Sequence, residues 1–101
     1  MIVTVFRSRL RTDSADEYQT VAARMNELVR SMPGYLSHKT FTADDGERVT
    51  LVEFVDESGH RGWSTHPEHV QAKDRGRASF YAEYRVQVCN VIREVRFPEA
   101  G

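Results

Sequence analysis

At 101 residues, with 40% hydrophobic and 29% charged side chains, the chain has material for one core and one domain spanning 1–101, and its composition is not that of a disordered segment. A formal net charge of -1, with acidic and basic residues interleaved as in Asp74-Arg75 and Arg93-Glu94, removes the electrostatic case for a nucleic-acid partner. The lone cysteine, Cys89, excludes an intramolecular disulfide and points to a reducing, cytoplasmic setting; no signal peptide and no membrane-spanning run of roughly 20 apolar residues is read.

Residues 2–10 alternate in a β-rich composition and predict a strand. Ser14-Ala15-Asp16-Glu17 has the form of a capping box. Tyr18, Val21, Ala22, Met25, Leu28, Val29 and Met32 follow at helical spacing, until Pro33-Gly34 ends the helix. Tyr35 to Ala43 reads as a second strand, Asp44-Asp45-Gly46 as a hairpin turn, and Val49 to Val55 as a third strand. Residues 57–66 predict a short helix interrupted by Gly59 and Gly62. Pro67 suits the first turn of another, running to about Tyr81. A last strand is expected from about Tyr84 to Phe97. The order β-α-β-β-α-β defines an α+β, ferredoxin-like fold with an antiparallel sheet.

The strands are apolar on both faces. Ile2, Phe6 and Leu10 oppose Val3 and Val5; Val49, Leu51 and Val55 oppose Val52 and Phe54; Val86, Val88 and Ile92 oppose Cys89, Val91, Val95 and Phe97. Two helices cover one face only, so the other face calls for a second copy, a homodimer packed sheet to sheet.

Chemistry-bearing residues gather at Trp63-Ser64-Thr65-His66-Pro67-Glu68-His69, which holds the only tryptophan and two of four histidines. Trp63 reads either as an anchor holding its helix to the sheet or as the wall and donor of an aromatic pocket. His66, held extended by Pro67, is a helix cap or a general base; His69 is an imidazole packed under the helix start or the base itself. The spacing suits no metal: the two histidines flank a proline instead of sharing a helix face.

Arg7 and Glu53 lie in what should be the central, neighbouring strands. They read as a cross-strand ion pair, or Arg7 as the stabiliser of an anionic substrate between sheet and helices. Tyr81, Tyr84 and Arg85 mark the last helix–strand corner, either core packing or one end of that cleft. Cys89 has no activating neighbour and reads as an unreactive thiol. No phosphate loop, serine elbow or flavin or nicotinamide fingerprint is present.

Val5-Phe6-Arg7-Ser8-Arg9-Leu10, Met32-Pro33-Gly34-Tyr35, Leu51-Val52-Glu53-Phe54, Trp63 to His69 and Phe80 to Cys89 together resemble the antibiotic biosynthesis monooxygenase (ABM) domain, over nearly the whole chain. The resemblance implies a dimeric α/β barrel of ferredoxin-like protomers. It implies a cofactor-free monooxygenase, using O2 as co-substrate and no metal, flavin or haem, acting on a small phenolic polycyclic or quinol-type molecule. Catalytic roles then fall on Trp63 as pocket wall and donor, His69 or His66 as base, and Arg7 as charge stabiliser. Tyr81, Tyr84, Phe54 and Glu53 would contact substrate. The other functions the scaffold supports are a non-catalytic or stress-related ligand-binding dimer and a haem degrader. The last is opposed by a first strand without asparagine and by Lys73 where haem-degrading relatives place a histidine.

Overall fold

Branched and aromatic residues at period two build a four-stranded antiparallel sheet in the computed structural model, which describes residues 1–98. The strands are β1 (Ile2–Leu10), β2 (Tyr35–Thr42), β3 (Arg48–Phe54) and β4 (Tyr81–Asn90), in the order β2-β3-β1-β4. The first and third strands are therefore the central pair, as a split βαββαβ pattern requires. Helices α1 (Ala15–Arg30), α2 (Glu57–Ser64) and α3 (Pro67–Arg75) complete the chain, with a single π-helical turn at Gly76–Phe80 leading into β4.

The register decides which side chains meet the helices. Ile2 lies opposite Phe54, Thr4 opposite Val52 and Val88, and Phe6 opposite Val86. Cross-strand partners share a face, and this face is the covered one: Phe54 is fully buried with Val29 of α1 and Trp63 of α2. Met25, Leu28, Met32, Tyr35 and Val52 pack around them. The opposite parity, Val3, Val5, Arg7, Val49, Leu51, Glu53 and Cys89, forms the second face. Phe41 of β2, half exposed, belongs with it opposite Val49.

Three local details differ from expectation. Ser14 occupies the N-cap of α1, yet its hydroxyl makes no capping bond, so the capping box is not formed. The helix expected to run from Pro67 to about Tyr81 leaves α-geometry at Gly76. A Cβ on Gly76 would stand 2.6 Å from Cε2 of Tyr81, so only glycine lets that ring lie against the backbone of the turn. Finally, β4 begins at Tyr81 and stops at Asn90 instead of reaching Phe97. Among the described residues its only neighbour is β1, and the Val91 N–H to the Met1 carbonyl (3.0 Å) is where β1 runs out. Beyond that point Ile92, Val95 and Phe97 are almost wholly exposed. No helix among the described residues is long and apolar enough to cross a membrane.

Candidate active site

The site is built at the junction of α2 and α3. Asp56 starts α2 by accepting the Gly59 N–H at 2.9 Å. Gly59 lets α2 settle on the chain below: a Cβ there would fall 2.9 Å from the Pro33 carbonyl and 3.2 Å from Phe54. Trp63 on the last turn is thereby pressed into the core, 8% exposed. His66 then turns extended (φ -60°, ψ 130°), Pro67 takes the first helical position, and the His66 Nδ1 accepts the Glu68 N–H at 3.2 Å. Of its two readings, the structure gives His66 the cap.

His69, in the first turn of α3, lays its ring flat on the Trp63 indole, with centroids 4.0 Å apart and planes 13° apart. Its Nδ1 lies 3.0 Å from the Trp63 carbonyl. A carbonyl oxygen can only accept, so Nδ1 carries the proton and donates it. In the neutral ring the lone pair is then on Nε2. Burial, opposed by that hydrogen bond, pushes the His69 pKa down to about 4, with the positive charge of Lys73 acting in the same direction as burial. The imidazole is thus neutral near pH 7, with one nitrogen committed to the backbone and one available.

A second aromatic group lies on the same sheet face. The Phe6 ring meets Tyr81 edge-on at 5.3 Å and Tyr84 at 5.7 Å, and Tyr18 of α1 meets Phe80 and Tyr81. Burial raises the Tyr81 phenol well above its ordinary value. The Tyr84 hydroxyl accepts from Arg77 at 3.3 Å. Along β4 beside them, Val86 and Val88 leave an apolar strip 49% and 52% exposed.

Several expected site residues fall elsewhere. Arg7 does not pair with Glu53: the register puts Arg7 opposite Val49 and Glu53 opposite Val3, four residues apart along β1. Arg7 instead donates twice to Glu47, at 2.8 and 3.1 Å, and Glu53 accepts from Ser37. Both are on the face turned away from Trp63, so Arg7 is no charge stabiliser within the helix–sheet layer and Glu53 no contact there. Phe54 is completely enclosed and serves as core, not as the wall of an open cleft. Of the two best-formed surface hollows, one of about 210 Å3 is lined by Arg7, Ser8, Glu47, Glu83, Tyr84 and Arg85. The other, at Thr12 to Glu17, is likewise away from Trp63 and His69. Trp63 is surrounded by a closed shell, with the imidazole as its outer layer.

The sequence reading missed the place of Thr4 and the contact made by Lys73. Thr4 points its hydroxyl into the covered layer, where it is buried without a partner, a state that costs roughly 1–3 kcal/mol. The only signal was a threonine between Ile2 and Phe6 on an apolar face. Lys73, one turn after His69, donates to the Ser64 carbonyl at 2.8 Å. Among the described residues no group of three or more histidine, cysteine or carboxylate side chains is placed to hold a metal ion.

The sequence profile of the family described as antibiotic biosynthesis monooxygenase matches residues 1–75, and the chain belongs to that family. An uncharacterized protein of Bacillus subtilis, YqjZ, is 30% identical over 95 residues, covering 94% of this chain and 83% of its own. Among solved structures, SnoaB of Streptomyces nogalater, described as a cofactor-independent oxygenase, superposes with a TM-score of 0.77 at 19% identity, covering 97% of each chain. Rv0793 of Mycobacterium tuberculosis superposes with a TM-score of 0.81 at 16% identity, over 94% of this chain and 98% of its own. At these identities the structural likeness establishes the ferredoxin-like fold.

Proposed function

We propose that the protein is a cofactor-independent monooxygenase that oxidises a phenolic polycyclic or quinol-type aromatic with O2. The observation that carries this reading is the His69–Trp63 stack, in which a neutral imidazole donates from Nδ1 to the Trp63 carbonyl and so keeps its lone pair on Nε2. Membership of a monooxygenase family and the description of SnoaB support it.

In the proposed reaction the aromatic substrate lies against the His69 ring, and Nε2 of His69 accepts a proton from it. The resulting carbanion–enolate passes one electron to O2. The organic radical and superoxide recombine at the activated ring carbon, the proton returns, and the peroxide loses water. A CH2 group and O2 thus become C=O and H2O. The protein contributes orientation and desolvation.

Magnitudes narrow the substrate. A proton moved from a phenol with a pKa of about 10 to an imidazole of pKa about 4 runs uphill by about 8 kcal/mol. Attraction between the two charges at contact returns about 4 kcal/mol. The reading therefore favours extended aromatics, whose anions are delocalised, over simple phenols.

The test is O2 uptake with an anthrone in chelator-treated buffer. Turnover is expected in the wild type, with His69→Ala slowed by at least about 100-fold, the low end for loss of a general base. Trp63→Phe should also lose rate, through loss of the indole face on which the His69 ring stacks. Equal rates in all three proteins would overturn the site assignment. The closed shell around Trp63 favours one second reading, a ligand-binding protein without turnover. It would give ligand-induced thermal stabilisation and no O2 uptake.

The functional unit in this proposal is a homodimer formed through the second sheet face, with Val3, Val5, Val49 and Leu51 at its centre. The exposed apolar tail around Ile92, Val95 and Phe97 supports it, since such residues seldom stand in water as a group.

A further inference from the structure

The last carbonyls of an α-helix have no partner within it and must find one outside. At the end of α2 those partners come largely from the next helix. The Trp63 carbonyl accepts from the His66 N–H at 3.1 Å and from His69 Nδ1 at 3.0 Å; the Ser64 carbonyl accepts from Lys73 at 2.8 Å. His69 and Lys73 are one turn apart, so they project from one side of α3. They hold consecutive carbonyls of α2, and Trp63 carries both the carbonyl and the indole that hold His69.

We propose that Lys73 is a positioning residue for His69. By fixing the Ser64 carbonyl it orients the neighbouring Trp63 peptide, and so keeps the imidazole in the tautomer that leaves Nε2 free. The function given to Nε2 rests on the monooxygenase reading, but the positioning does not. Arg7, on the other sheet face, cannot take this part. Lys73 works without touching substrate: its charge beside the imidazole disfavours a second proton there, and its hydrogen bond holds the plane against which His69 stacks.

The groups that bear on His69 charge are Lys73 on its own helix, His66 at the helix start and His60 on α2. Variants at Lys73 can therefore be read against two unaltered histidines. Nitrogen-15 NMR of the His69 ring, without substrate, in wild type, Lys73→Met and Lys73→Arg is the experiment. The wild type should show one tautomer, protonated at Nδ1. Lys73→Met should show a mixture of tautomers and about a tenfold fall in kcat with KM little changed, and Lys73→Arg should restore both. A His69 tautomer unchanged in Lys73→Met, with only a lower melting temperature, would reduce Lys73 to a helix cap and overturn the proposal. If the wild type takes up no O2, the monooxygenase reading fails while the NMR result still decides the role of Lys73.

Discussion

His69 concentrates the tension between stability and chemistry in one side chain. Its imidazole has a pKa of about 4 in the folded protein against 6.5 for the free group, because burial opposes the charge. The unfolded chain therefore binds the proton first. Between pH 6.5 and about 4 the unfolded state holds more protons, so stability falls as pH falls through that window. The loss approaches roughly 3 kcal/mol at its lower end. Burial shifts His38 and His60 in the same direction, and toward pH 4 the carboxylates of Asp45, Glu47 and Glu68, held low by arginine or backbone hydrogen bonds, add to the loss, so the wild-type curve alone mixes several groups. The difference between wild type and His69→Phe isolates one. Urea midpoints measured from pH 7 to 4 should fall less steeply in the variant. Parallel curves would mean that His69 is protonated without cost. The same shift implies that a base at His69 remains unprotonated across pH 5 to 8.

At the level of elements, the π-helical turn shows how a local irregularity is held. Gly76 is buried against the face of Tyr81, and that ring in turn contacts Phe6 and Tyr18. In Gly76→Ala the new methyl must displace the ring, an overpacking that should cost about 1–3 kcal/mol in thermal or urea unfolding. An unchanged melting temperature would mean the turn simply reverts to α-geometry. The order of elements was legible in the sequence because each follows a period or a breaker: the apolar stripe from Tyr18 to Met32, the Pro33-Gly34 stop with Gly34 at φ 81°, the turn at Gly46, and Pro67. What was hidden depends on partners distant in sequence. The end of β4 is decided by where β1 begins. The Arg7–Glu53 pair fails although both residues lie on one face, because pairing needs the register as well as the parity. Whether His66 caps or reacts depends on a 3.2 Å bond to its own helix, which composition does not encode.

For the whole molecule, the sheet has one covered and one uncovered face, and the uncovered one carries its own apolar centre. Val5 lies opposite Leu51 there, with Val3, Val49 and Phe41 around them. On the homodimer proposal, light scattering after size exclusion should give twice the chain mass for the wild type. Leu51→Asp should reduce it to one chain mass, because a carboxylate at that centre would be desolvated without a partner. A monomeric wild type would remove the dimer from the proposal.

Trp63 is the sole tryptophan, and its indole is in flat contact with a titratable ring. Its emission therefore reports on a single place in the protein. A protonated imidazole withdraws electrons from an excited indole far more readily than a neutral one, so acid quenching reads the charge on His69 directly. A ligand that displaced His69 from the stack would change the same signal. The molecule carries an intrinsic optical probe of its proposed base, free of interference from any other indole.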